Sequence, residues 1–165
     1  MKNSKEEQFN SPTKGKMSLD RVIKELSAYI EEDPDRKYSL VIGTDANGSK
    51  VADFISAIIV HRIGFGGIYF WKKAKRRKVY SLRDKIYEEV NLSLILAQEF
   101  IGKLKNHFNE KKLESYDLEI HVDVGKDGQT REMIKEVIGI IRGSGFEART
   151  KPDAYGASKI ADKYT

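Results

Sequence analysis

The chain has no cysteine among its 165 residues, which excludes a disulfide framework and a thiolate zinc site. It has no stretch approaching the roughly 18 apolar residues that a membrane-spanning helix needs. Residues 1–16 are polar and carry no apolar signal core, so a cytoplasmic address is the expectation. No internal repeat or low-complexity tract is present, and neither a Ser-His-Asp arrangement nor a zinc-type ligand spacing can be found. The segment Gly125-Lys126-Asp127-Gly128-Gln129-Thr130 superficially suggests a phosphate loop. It fails the Walker spacing, because no Lys followed by Ser or Thr stands directly after the second glycine. It reads as a turn.

What the chain does have is charge. Lys and Arg number 30 against 25 Asp and Glu, giving +5 and a pI near 9.2. Apolar residues make up 39% and charged residues 33%. The length suits one domain with a substantial core, and the composition gives it a heavily charged surface. A basic excess on a small domain favours contact with a polyanion, nucleic acid above all.

Residues 1–17 read as loop or poorly ordered, and 18–165 as the folded domain. A helix is expected over about 18–32, where Leu19, Val22, Ile23, Leu26, Tyr29 and Ile30 recur at helical spacing. Ser18 can cap it, Asp20 complements its dipole, and Asp33-Pro34 ends it. Three strand-like runs follow: Tyr38 to Asp45, Val51 to Arg62, and a third from Ile68 to Trp71 that can extend to Tyr80. Short turns at Asn47-Gly48 and at Gly64 to Gly67 make them an antiparallel meander. Ser81-Leu82-Arg83-Asp84 fits a capping box opening a long helix to about 107. Its apolar stripe runs through Leu82, Ile86, Val90, Ala97, Ile101 and Leu104. Tyr116 to Val124 alternates strictly, with Leu118, Ile120, Val122 and Val124 on one face and Asp117, Glu119, His121 and Asp123 on the other. A helix at about 130–142, a short strand from Phe146 to Thr150 and a final helix at about 153–164 complete the chain. After the N-terminal helix the order is β-β-β-α-β-α-β-α. That order implies an α/β domain built on one mixed five-stranded sheet with helices on both faces, the ribonuclease H-like arrangement.

Four acids stand where a carboxylate is placed with purpose. Asp45 ends the apolar run Leu40 to Thr44, although an Asp before Asn-Gly also suits turn initiation. Asp123 ends a second such run, with a plainer reading as the polar face of an alternating strand. In the long helix Glu89 lies roughly 60° from the centre of the buried stripe and Glu88 about 160° away. Glu88 is therefore expected to face water and Glu89 to look toward the sheet, with the small Ser93 one turn later. Asp162 shares a face with Ala154, Ser158 and Ala161 in the last helix, and a solvent-exposed role suits it equally well. If Asp45, Glu89, Asp123 and Asp162 converge, they form a four-carboxylate site suited to Mg²⁺ or Mn²⁺ and to two-metal phosphoryl displacement.

At these residues the chain resembles the YkuK family of predicted ribonuclease H-like nucleases. The matching stretches are Phe9-Asn10-Ser11-Pro12-Thr13, Ile42-Gly43-Thr44-Asp45, Val60-His61-Arg62, Ile120 to Gly125, Lys151 to Tyr155, Ala157-Ser158 and Ala161-Asp162-Lys163. The resemblance implies the fold. By similarity to ribonuclease H-like enzymes it gives Asp45 the role of first-strand metal ligand, Glu89 that of the first core helix, Asp123 that of the fourth strand, and Asp162 that of the closing helix. Asp153 is a rival to Asp162. Ala46 and Ala154 stand where much of the family is expected to have Ser, and neither change removes a carboxylate.

Lys72, Lys73, Lys75, Arg76, Arg77 and Lys78 place six cations in seven positions beside Tyr69, Phe70, Trp71 and Tyr80. With Lys151 they are expected to grip phosphates, an aromatic offering a stacking surface; a solvated strand edge is the alternative. His121, two residues from Asp123 on one strand face, and His61 are auxiliary candidates for proton transfer or ligation, against a structural role. The combined expectation is a Mg²⁺- or Mn²⁺-dependent nuclease acting on DNA, RNA or a hybrid. A non-catalytic nucleic-acid-binding module and another phosphoryl-transfer enzyme are the alternatives.

Overall fold

The computed structural model describes residues 8–125 and 130–151. The helix expected over 153–164 lies outside them, as do Asp153 and Asp162.

The order of elements follows the sequence closely. Two short strands, β1 (Phe9–Ser11) and β2 (Gly15–Met17), come first; helix α1 then spans Leu19–Glu32 and strand β3 spans Tyr38–Asn47. Ser18 caps α1 by accepting the Arg21 amide at 3.3 Å, and Asp20 lies in its first turn. Strands β4 (Val51–Arg62) and β5 (Gly67–Lys78) complete the antiparallel meander. Gly48 turns β3 into β4 at φ +118°, and a Cβ there would sit 2.3 Å from the Val51 carbonyl oxygen, so only glycine fits. Helix α2 (Leu82–Leu104) opens on Ser81, whose hydroxyl accepts the Asp84 amide at 3.0 Å. A short α3 (Glu110–Glu114) leads to β6 (Asp117–His121). A 3₁₀ turn (Arg131–Met133), α4 (Ile134–Gly143) and β7 (Glu147–Arg149) follow.

The sheet has seven strands rather than five, in the order β2-β1-β5-β4-β3-β6-β7. It is mixed: β3 pairs antiparallel with β4 and parallel with β6, and β6 pairs parallel with β7. The two extra strands come from the N-terminal segment expected as loop. β1 (Phe9–Ser11) and β2 (Gly15–Met17) form a small hairpin on the outer edge of β5. Three-residue strands with one apolar residue each carry no readable alternation. They are held by tertiary partners instead. Asn10 Nδ2 donates to the Trp71 carbonyl at 3.2 Å, while Phe9 and Met17 join the main core.

One face of the sheet carries that core. Leu40, Ile42, Ile58, Val60, Phe70 and Ile120 pack against the buried faces of α1, α2 and α4. Among the described residues these helices share one face, and no helix is long and apolar enough to cross a membrane. β3 is an interior strand, flanked by β4 on one side and β6 on the other.

The basic strand β5 is tied to α2 by ion pairs. Arg77 clamps Asp84 through two bonds of 2.9 Å and reaches Glu88 at 3.2 Å; Lys75 reaches Glu88 at 2.8 Å. Glu88 is only 9% exposed, which corrects the expectation that it faces water. Glu88 lies well round α2 from the centre of the buried stripe, but Lys75 and Arg77 of β5 reach that side and cover it. Hydrogen bonds from Arg77, then from the Tyr80 amide, hold the Asp84 carboxyl down at about 2. Replacing Arg77 by Met leaves Glu88 with Lys75 alone, and thermal denaturation should show a Tm lower by about 5 °C or more. The double change Arg77→Met with Glu88→Met should recover most of that loss, because it removes the stranded charge together with its partner.

Candidate functional site

Asp45 lies near the end of β3, and Asp123 lies two residues past the end of the neighbouring parallel strand β6. The β3–β6 ladder runs to Gly43 opposite His121. Each acid stands two residues further along its own strand direction, so the alternation of side chains puts both on the same side. Both are partly buried. The segment holding Asp123 is anchored beyond the ladder: the Val122 amide donates to Arg149 O at 2.9 Å, and the Lys151 amide donates to Val124 O at 2.8 Å. The second bond brings Lys151 alongside, and its Nζ lies 2.6 Å from Asp123 Oδ1.

Glu89 enters from α2. It is 3% exposed, and its Oε2 is fully buried with no hydrogen-bond partner. Burial chiefly, and then the negative charge of Asp45, push its carboxyl up to about 9. Asp123 adds to that rise, while Lys85 and Lys151 oppose it. Lys85 Nζ, one helical turn before Glu89, is 4.0 Å from its Oε1. Three acids and two lysines thus share one electrostatic neighbourhood. Lys85 was missed in the sequence although its i, i+4 spacing to Glu89 was available.

A chain of buried hydroxyls sets how α2 sits on the sheet. Ser93 Oγ donates to Thr44 Oγ1 at 2.9 Å, and Thr44 Oγ1 is 2.7 Å from Ser56 Oγ. Thr44 precedes Asp45 and Ser93 lies one turn after Glu89, so the contact fixes the two acid-bearing elements against each other. Thr44→Val keeps the shape and strands two hydroxyls. Denaturant unfolding should show a loss of about 1–2 kcal/mol.

The other candidates fall out differently. His121 is buried; its Nε2 pairs with Glu119 Oε2 at 3.0 Å, and Arg149 Nε donates to Glu119 Oε1 at 3.1 Å. Burial chiefly lowers its pKa below the usual histidine value. Glu119, which the alternation placed on this face without a role, is the acid that holds it. His61 pairs with Ser39, six register positions from Asp45 along β3, about 20 Å away, and is not brought to the acids. A cavity of about 390 Å³ lies between the N-terminal hairpin, α1 and the start of β5, lined by Lys14, Glu25, Tyr29 and Phe70 among others, and none of the acids of interest touches it.

Within the basic run, Lys72 is only 6% exposed, with its ammonium 5.1 Å from the centre of the Phe9 ring. Lys73 and Arg76 lie within 3.8 and 3.5 Å of Asp53, and Arg77 is held as described. Lys73, Lys75, Arg76 and Lys78 remain exposed. Lys73 pairs with Ile55, which pairs with Asp45, so it stands level with Asp45 two strands away, about 10 Å across the sheet.

Hard carboxylate oxygens suit Mg²⁺ or Mn²⁺ better than softer metals, and a buried carboxylate oxygen without a donor is the kind of group a cation satisfies. The donor set therefore fits such an ion. Among the described residues, however, no group of three or more His, Asp or Glu side chains is gathered closely enough to hold one.

A mixed α/β sheet with acids near the ends of two adjacent parallel strands and on a helix packed against the sheet is consistent with a ribonuclease H-like protein. The chain belongs to that family: the profile described as "Ribonuclease H-like" matches residues 21–165. Within it the chain is a member of the YkuK family. It is 33% identical over 168 residues to "Uncharacterized protein YkuK" of Bacillus subtilis (strain 168), covering 95% of this chain and 96% of that one. No solved structure matches it.

Proposed function

We propose that this protein is a divalent-metal-dependent nuclease that hydrolyses phosphodiester bonds, with Asp45, Glu89 and Asp123 as metal ligands. Asp162 is proposed as the fourth ligand, with Asp153 as its rival. The observation that carries this reading is the buried, unpartnered Glu89 Oε2 beside the charges of Asp45 and Asp123. A protein keeps such an arrangement, which costs stability, where function uses it.

The bound ion would lower the pKa of the attacking water and neutralise charge building on the phosphate. The chain's own residues do the rest. The acids orient and hold the ion, and the hydroxyl chain through Thr44 keeps α2 in register with β3. Exposed cations flank the acids on both sides, with Lys73, Lys75, Arg76 and Lys78 toward β5 and Lys151 beside Asp123. They suit a polyanionic strand lying across the sheet end, where phosphate contacts position the backbone without reading sequence. His121, held by Glu119, supports the strand that carries Asp123.

The test is incubation of labelled single-stranded DNA, RNA, duplex and hybrid substrates with Mn²⁺ or Mg²⁺ and with chelator. Cleavage that needs the metal is the expected result. Binding of the polymers with no cutting in any metal would replace this reading with a nucleic-acid-binding module. Hydrolysis of nucleotides but not of polymers would point to another phosphoryl-transfer enzyme.

A further inference from the structure

Lys151 sits among the acids in a way that phosphate gripping alone does not explain. Its ammonium lies 2.6 Å from Asp123 Oδ1, a short charge-assisted contact, and its charge is also felt by Glu89. The backbone fixes where it starts, since the Lys151 amide is bonded to Val124 O at 2.8 Å. The side chain itself is 59% exposed, against 33% for Asp123. The lysine is thus anchored at its Cα and has room to swing at its tip. Lys85, the other cation near the cluster, is 4.0 Å from Glu89, too long for a hydrogen bond. Of these two lysines, Lys151 is the one within hydrogen-bond distance of a carboxylate of the cluster.

We propose that Lys151 is an internal counter-cation of the acid cluster. It neutralises Asp123 in the metal-free protein, and a divalent ion must displace it to use that carboxylate, so the lysine sets metal affinity by competition. This inference rests on the reading of Asp45, Glu89 and Asp123 as metal ligands. The physical argument is charge balance. Carboxylates near enough to feel each other's charge, as Glu89 feels Asp45 and Asp123, repel, and a cation on any of them relieves the others. An ammonium and a divalent ion on the same carboxylate repel each other in turn, so one leaves when the other arrives. The swing of a half-exposed lysine costs little, and the displaced ammonium is left at the rim, facing any phosphate held by the site.

The test uses the full chain and Mn²⁺ alone, titrated calorimetrically into wild type, Lys151→Met and Lys151→Arg. Removing the competing cation should tighten Mn²⁺ binding in Lys151→Met by roughly five- to tenfold, while Lys151→Arg stays within about twofold of wild type. In chelator the same Lys151→Met change should lower the Tm, because the metal-free cluster loses its counter-cation. The opposite signs of these two shifts separate competition from general damage to the fold. Lys151→Gln, read in the same way, serves as a second neutral variant. Unchanged or weaker Mn²⁺ binding in Lys151→Met, with wild type binding the metal, overturns the proposal and leaves the acid-cluster reading in place. Failure of both wild type and Lys151→Met to bind Mn²⁺ overturns the two together.

Discussion

Replacing Asp45 by Asn is expected to lower metal-dependent cleavage by about a thousandfold or more without unfolding the protein. Asp45 lies near the end of the interior strand β3, and its charge is the strongest acidic influence on Glu89. The amide keeps the size of the side chain and removes the negative charge that would hold a cation. Metal activation of water and phosphate is worth several kcal/mol of barrier, and about 4 kcal/mol corresponds to that thousandfold. Loss of one like charge beside Glu89 offsets what the favourable contacts of Asp45 contribute, so the metal-free fold should survive the change. The measurement is cleavage rate at saturating Mn²⁺ alongside thermal denaturation in chelator. Near-wild-type cleavage by Asp45→Asn would remove it from the reaction, whereas a collapsed Tm would show that its role is structural.

Glu89→Gln should change the pH dependence of stability more than any other single substitution near the site. In the metal-free protein the Glu89 carboxyl is pushed up to about 9 from an ordinary 4.5, mainly by burial and then by Asp45. The folded state therefore binds a proton that the unfolded state has already lost. Stability falls as pH rises through this window, with a slope near 1.4 kcal/mol per pH unit at most. From pH 4.5 to 7 the wild type should lose about 3 kcal/mol that Glu89→Gln does not lose, and the gap should widen toward pH 9. For a chain of this size the difference at pH 7 corresponds to roughly 6–10 °C in Tm, reduced by whatever the buried amide itself costs. Unfolding curves in chelator at pH 4.5, 7 and 8.5 would show it. Parallel pH profiles for the two proteins would mean that Glu89 titrates normally and is not the buried, unpartnered group described above. With Mn²⁺ present the ordering should reverse, since only the wild type gains stability from binding through this carboxylate.

These two variants bear on different halves of one idea. Asp45 is placed by a strand whose burial is decided by its apolar residues, so its loss touches function first. Glu89 is placed by helix packing that buries it against its own preference for water, so its loss relieves the fold and removes a ligand at once. A site that becomes more stable when a charged residue is neutralised is under functional constraint, since stability alone would not retain the charge.

Local chemistry made much of the fold legible. Ser18 and Ser81 each place a hydroxyl oxygen where a helix start leaves an amide without a partner. The apolar spacing from Leu19 to Ile30 and the alternation from Leu118 to Val124 each repeat over enough residues to declare their period. Asp45, Glu89 and Asp123, the proposed ligands, stood out in the sequence for the same reason: each sits at a definite step of a helix or at the end of an apolar run. The hairpin at Phe9 to Met17 was not, because its strands are too short to show a period. Nor was the burial of Glu88, which depends on Arg77 and Lys75 arriving from β5, a strand two places from β3 in the sheet.

The sequence by itself determined which segments become helix or strand and which residues bear carboxylates at their ends, because backbone period and capping are settled within a few residues. Only the tertiary structure decided that β3 and β6 run side by side, that Lys151 reaches Asp123, and that His61 stands far from both. Strand neighbours and ion-pair partners are chosen by packing between elements distant in the chain. Nothing in the spacing of those residues along it records that choice.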